Sequence, residues 1–305
     1  MKRLFPVVLL FLLAAAGCAR PAAEKKEGYV PFRVEMGEYA VITPASRSFA
    51  AWDDLMDAML GADVVFVGEE HDHTAGHIME AKILRDLSSA FPRLSLSLEM
   101  FERDVQPLLD DYLAGKIDEK TFLKGSRPWP NYDPDYKRLI ELAKARNLPV
   151  VAANIPRPLA MKVAMRGVDG LPPDMRKYVA AALYAPDDEY KRRFIEVMKA
   201  MGAAHGRRMP VKPAMFEAMY KAQCIKDDTM AESIVKQIRS HGGKVIHYNG
   251  CFHSDYGLGT AMRVKRLAPE LKVLVVKIAR VPRKLEPPFE GLDPRIADFV
   301  IAMTR

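Results

Sequence analysis

The sequence predicts an α/β fold, with a mostly parallel central sheet flanked by helices and a helical insertion or subdomain. Two observations carry the prediction. Short, continuous apolar runs alternate with segments whose apolar residues recur at helical spacing, the pattern of βα units with parallel strands. Residues 157–240, rich in Ala, Met and Lys, break that alternation and read as almost wholly helical. With 49% apolar residues in a chain of 305, there is material for the core of one large domain or two small ones.

Residues 63–67 are a buried strand ending at Gly68, and Ile78, Ile83, Leu84 and Leu87 mark the helix that follows. Residues 95–98 form a second strand and 105–113 a second helix. Residues 134–146 are helical, with Tyr136, Leu139, Ile140 and Leu142 near one face, and 149–153 are a third strand. After the helical stretch come a fourth strand (244–248), a short helix (262–267) and a fifth strand (272–278). A proline-rich loop then leads to a last strand near 298–303. The main domain is expected at 46–281, with a C-terminal loop and strand at 282–305. The methionines of the helical stretch are expected to be core.

Residues 1–18 have the three parts of a bacterial lipoprotein signal. Lys2 and Arg3 begin it, an uncharged apolar run covers 4–16, and Gly17 and Cys18 close it. The run is too short to span a bilayer core of about 30 Å. Cleavage before Cys18 would leave that thiol to carry lipid, with 19–45 as a tether. Ala15 stands where such signals usually carry Leu. Ala19 lacks the acidic residue associated with inner-membrane retention, which favours an outer-membrane anchor facing the periplasm. The formal charge is +7, spread along the chain without a basic stripe interleaved with aromatics, so nucleic acid is not an expected partner. Cys224 and Cys251 are expected as separate thiols.

Polar residues gather just after the strands. The first strand runs into Gly68, Glu69, Glu70, His71, Asp72 and His73, with His77 one helical turn on. The second runs into Glu99, the third into Asn154, and the fourth into Asn249, Gly250, Cys251, Phe252 and His253. In a parallel sheet these ends share one rim, where α/β proteins bind ligands. Glu69, His71, Glu99 and His253 are types that bind a divalent metal or exchange protons. Gly68 and Gly250 would let the backbone turn beside the site. His73 is expected as an exposed loop histidine, and Glu70 and Asp72 as solvated charge near a helix start. His77 reads equally as a ligand or as the partner of a neighbouring carboxylate. Asp227 and Asp228 lie in a long helix that would point one of them into the crevice and leave the other at the surface.

A second group comprises Arg127, Trp129, Asn131, Tyr132 and Tyr136 in an aromatic, proline-rich loop, with Tyr248 and Tyr256 flanking the fourth-strand loop. Tyrosinate can ligate ferric haem, and flat cofactors want aromatic walls. For Trp129 or Tyr132 taken singly, packing of the loop onto the sheet is the better reading.

The ordered set Gly68-Glu69-Glu70-His71-Asp72, Leu98-Glu99-Met100-Phe101, Trp129 with Tyr132 and Tyr136, and Val151-Ala152-Ala153-Asn154 resembles the ChaN-like haem-binding, iron-regulated lipoproteins. Gln223 with Asp227, Asp228, Met230 and Ala231, and Asn249-Gly250-Cys251-Phe252-His253, complete it. The resemblance implies a part in haem or iron uptake. It further implies haem held at a homodimer interface by a tyrosine on iron, assisted by a histidine of the partner chain, and an outer-membrane haem receptor as partner. Tyr132, Tyr136, Tyr248 and Tyr256 are the candidate tyrosines, with Trp129 and His253 as further haem-binding candidates. The broader superfamily resembles Tiki proteases and erythromycin esterases. That keeps open a metal-dependent or acid–base hydrolase, with Glu69 or Glu99 as base.

Overall fold

The computed structural model describes residues 39–204, 213–281, 289 and 291–304. The signal, Cys18 and most of the 19–45 segment lie outside the described residues. The chain divides into two units, Met1–Arg33 and Val34–Arg305, and every described residue belongs to the second.

The elements in order are β1 (Tyr39–Thr43), β2 (Ser48–Ala50), α1 (Trp52–Gly61), β3 (Val64–Glu69), α2 (Thr74–Ala90) and β4 (Leu94–Glu102). Next come α3 (Gln106–Leu113), α4 (Glu119–Ser126), a π-turn at Tyr132–Tyr136, α5 (Lys137–Ala145), β5 (Val150–Asn154) and α6 (Arg157–Arg166). The last are α7 (Glu189–Ala204), α8 (Pro213–His241), β6 (Lys244–Gly250), α9 (Gly259–Leu267), β7 (Val273–Arg280) and β8 (Phe299–Met303). The eight strands form one sheet in the order β2-β1-β8-β7-β3-β6-β4-β5. From β8 to β5 all neighbours are parallel, and β1 and β2 add an antiparallel hairpin at the β8 edge.

β3 is buried at all six positions, which is why it reads as an unbroken apolar run rather than an alternating one. Val65 and Val67 pack under α2, whereas Val64 and Phe66 pack under α8 and α9. The hairpin was not legible as such: β1 falls inside the expected tether, and its place rests on Val41 pairing with Ile301 from the far end of the chain.

The helical stretch is an insertion between β5 and β6, as expected. Helices α6 and α7 fit that description, but α8 is the crossover helix of the sheet, and Ala231, Ile234 and Val235 fill the core beneath β3 and β6. Several methionines expected as core are exposed, Met165 at 69% and Met215 at 55%.

β5 is the outer parallel strand. The Gln106 side chain lies along it as a substitute strand: its Nε2 donates to the Val150 carbonyl at 2.8 Å, and its Oε1 accepts from Ala152 N at 2.7 Å.

Candidate functional site

The carboxyl ends of β3, β4, β5, β6 and β7 share one rim, but the pleat divides its residues between two faces. On β3, Glu69 follows Val65 and Val67 onto the α2 face. On β4, Glu99 follows Ser95 and Ser97, opposite Leu96 and Leu98, onto the α8 face. The four residues expected as one metal site, Glu69, His71, Glu99 and His253, therefore make two groups. Gly250 lies at the boundary: its N–H donates to Glu99 Oε2 at 2.8 Å, and the His71 ring lies against its α-carbon. A Cβ there would come within 2.6 Å of His71 Cε1, and a Cβ on Gly68 within 2.9 Å of Ser254 Oγ. Clearance, and not the expected sharp turning, is what these two glycines provide; Gly250 has an ordinary φ of −54°.

On the α2 face, Glu69 Oε1 pairs with His71 Nδ1 at 2.6 Å and accepts from the Tyr136 hydroxyl at 2.7 Å. Glu69 Oε2 lies 3.0 Å from His77 Nδ1, which is also 2.9 Å from Glu80 Oε2. These three side chains present ligand atoms within 4.8 Å of one another, all buried. Burial alone would raise the Glu69 carboxyl, but His71 and His77 hold it down at about 2. Burial and the neighbouring Glu69 push Glu80 well above the carboxylate range. His77, which burial would depress, is pushed up to about 11 by the two carboxylates. His77, expected equally as a ligand or as the partner of a carboxylate, lies among carboxylates inside the core. Glu80 was missed, although its i+3 spacing from His77 puts both on one helix face.

His71 is the exposed member, its side chain 48% accessible. Asn131 Nδ2 donates to its carbonyl at 2.9 Å, and Trp129 stands edge-on to its ring at 4.9 Å. An imidazole backed by a carboxylate on Nδ1 and open at Nε2 can take a proton or offer a lone pair to a metal. Burial would lower its pKa; the hydrogen bond to Glu69 raises it. His73, expected to be exposed, is buried because the loop folds back over Gly76, whose missing Cβ leaves room for the ring. Asp72 is solvated as expected, 85% exposed.

On the α8 face, His253 is held between two carboxylates, Asp227 Oδ1 at 2.6 Å from Nδ1 and Glu99 Oε1 at 3.3 Å from Nε2. Asp227 also accepts from Thr260 Oγ1 at 2.8 Å and the Tyr190 hydroxyl at 2.7 Å. Arg263, fully buried, pairs with Asp228 at 2.7 Å. Both aspartates are buried, so neither is surface charge. Burial opposes the charge on His253, but Glu99 and Asp227 raise it to about 10. Burial would raise Glu99; the His253 charge drives it well down instead. Asn154 donates to the Glu99 carbonyl and accepts from Ile155 N, and its side chain bonds to backbone alone. Tyr190 and Arg263 were missed, and no local pattern marks them.

A family model described as "Haem-binding uptake, Tiki superfamily, ChaN" matches residues 55–264, well over half of the chain. The chain belongs to this family. ChaN of Campylobacter jejuni, solved with cofacially bound haem, superposes with a TM-score of 0.66 over 88% of this chain and 97% of its own, at 17% identity, and so shares the fold. The curated protein RETICULATA-RELATED 5, chloroplastic, of Arabidopsis thaliana is 25% identical over 263 residues, or 80% of this chain. The chain spans about a third of that protein's length, 34%.

Of the haem-binding candidates, the structure puts four beneath the surface. Tyr132 is enclosed by Phe101 and Phe122, Tyr136 is bonded to Glu69, Tyr248 donates to the Glu80 carbonyl at 2.8 Å, and His253 is buried as described. Two remain at the surface. Trp129 is half-buried beside His71. Tyr256 is half-buried, with φ of 63°, and the Arg193 guanidinium lies 3.4 Å from its ring centre. Cys224 and Cys251 are both free thiols.

Proposed function

We propose that this protein binds haem as cargo at the carboxyl rim of its sheet, held to the membrane through lipid on Cys18. The observation that carries the proposal is the family match over residues 55–264. The rim supports it chemically. A ferric porphyrin needs an oxygen or nitrogen ligand that reaches the surface, beside an aromatic wall. Among the four candidate tyrosines, Tyr256 is the one whose ring is not buried, and the Arg193 guanidinium lies over it, 3.4 Å from the ring centre. His71 with Trp129 offers an imidazole and an aromatic edge on the same rim. Haem held between two copies of the chain, and delivery by an outer-membrane receptor, belong to the same proposal.

Hemin added to the purified protein is expected to give a saturable Soret shift. Tyr256→Phe should weaken binding about tenfold or more, whereas Tyr248→Phe should leave it unchanged. A flat titration of the unsubstituted protein would dismiss haem binding. A wild-type shift that survives Tyr256→Phe but disappears with His71→Ala would move the ligand to the imidazole. The anchor is checked by fractionation: Cys18→Ala should release the protein from the membrane pellet, and retention there would refute lipidation at Cys18.

A further inference from the structure

The group beneath His71 has more acceptors than donors. His77 Nε2 lies 3.2 Å from the His71 carbonyl, which only accepts, so Nε2 carries a proton. Its other nitrogen faces two carboxylate oxygens, Glu69 Oε2 at 3.0 Å and Glu80 Oε2 at 2.9 Å. One N–H cannot serve both well. Glu69 Oε2, Glu80 Oε1 and Asp135 Oδ1 are buried without a hydrogen-bond partner, and Asp135 Oδ2 is 3.8 Å from His77 Nε2. Glu69 and Glu80 are about 1% exposed or less and Asp135 4%, so bulk solvent does not reach them. Without an ion, the two carboxyl groups are kept together by a proton on Glu80, whose burial and charged neighbour hold it neutral.

We propose that Glu69, His77 and Glu80 form a binding site for one divalent transition-metal ion, of the zinc, manganese or iron(II) class. Two carboxylate oxygens and one imidazole nitrogen suit such an ion, and the three ligand atoms already lie within 4.8 Å of one another. An ion there gives the orphaned oxygens a partner and lets Nδ1 coordinate through its lone pair. The surroundings are those of a metal centre. His77 is oriented by its Nε2–H to a backbone carbonyl, and Glu69 by the Tyr136 hydroxyl. Half-exposed His71 and Asn131 stand between this group and solvent. Glu99 and His253 take no part, since they are on the other face with their own partners.

The site is independent of haem, and its test is run without hemin. The full chain, purified in detergent and stripped with chelator, is titrated with Zn2+ and Mn2+ by calorimetry and with Co2+ by absorption spectroscopy. One ion per chain is expected, with a Co2+ spectrum of oxygen and nitrogen ligation. Glu80→Gln, which keeps the shape, should weaken binding at least about tenfold, and Asp72→Asn, an exposed carboxylate on the adjoining loop, should not. Far-UV circular dichroism confirms that the Glu80→Gln protein is folded. Should that variant not fold, His77→Gln takes its place, with the same expectation. Absence of stoichiometric binding to the wild type would overturn the proposal, as would equal binding by the wild type and a folded variant. A positive hemin titration with a flat metal titration would refute this site alone.

Discussion

The two faces of one rim carry the same kinds of residue in opposite conditions. Behind the α8 face, Glu99, His253 and Asp227 are saturated: each has a partner, and Thr260 and Arg263 from α9 and Tyr190 from α7 supply donors. Behind the α2 face, Glu69, His77 and Glu80 are short of donors, and two of their oxygens have none. A saturated network fixes loops, because any change in it exposes an unpaired charge. A donor-poor group is suited to receive something. The comparison assigns architecture to one face and reception to the other.

Breaking the saturated face should have the largest effect. Asp227→Ala removes the partner of His253, Thr260 and Tyr190 together, and is expected to cost about 3–5 kcal/mol in chemical denaturation. A loss below about 1 kcal/mol would mean that this network does not hold the fold.

A smaller effect comes from pH. His253 has its folded pKa raised to about 10 from 6.5. Its contribution is full below about pH 6.5 and is lost as pH rises to about 10. Glu99, shifted down, contributes above the ordinary carboxylate range and loses that contribution in acid. The melting temperature should therefore fall across the alkaline window, and His253→Gln should flatten that limb. An unchanged slope in the variant would assign the alkaline loss to another group.

The smallest effect is expected on the donor-poor face in metal-free protein. Glu80→Gln replaces a buried acid held neutral beside Glu69 with a neutral amide of the same shape, so stability should change by less than about 1 kcal/mol. A cost near that of Asp227→Ala would erase the distinction between the faces.

Much of this was legible beforehand, and what was not has physical causes. The run at 63–67 gives β3 because a parallel strand is buried on both sides, and local pattern suffices to see it. That Glu69 and Glu99 follow strands placed them on one rim. Which face each takes depends on pleat phase relative to helices elsewhere in the chain, and this separated the expected quartet. Residue 241 ends α8, yet its core role rests on contacts with β3 and β6, so composition alone made it part of an insertion. Arg263 is buried only because Asp227 and Asp228 arrive from another helix to neutralise it.

Gln106 bears on how copies of the molecule behave towards one another. An outer parallel strand presents a ladder of open amides and carbonyls that any extended chain can join. One glutamine, reaching from the start of α3, fills a rung of that ladder on both its donor and its acceptor side. That rung of β5 is thereby closed to the backbone of a second chain.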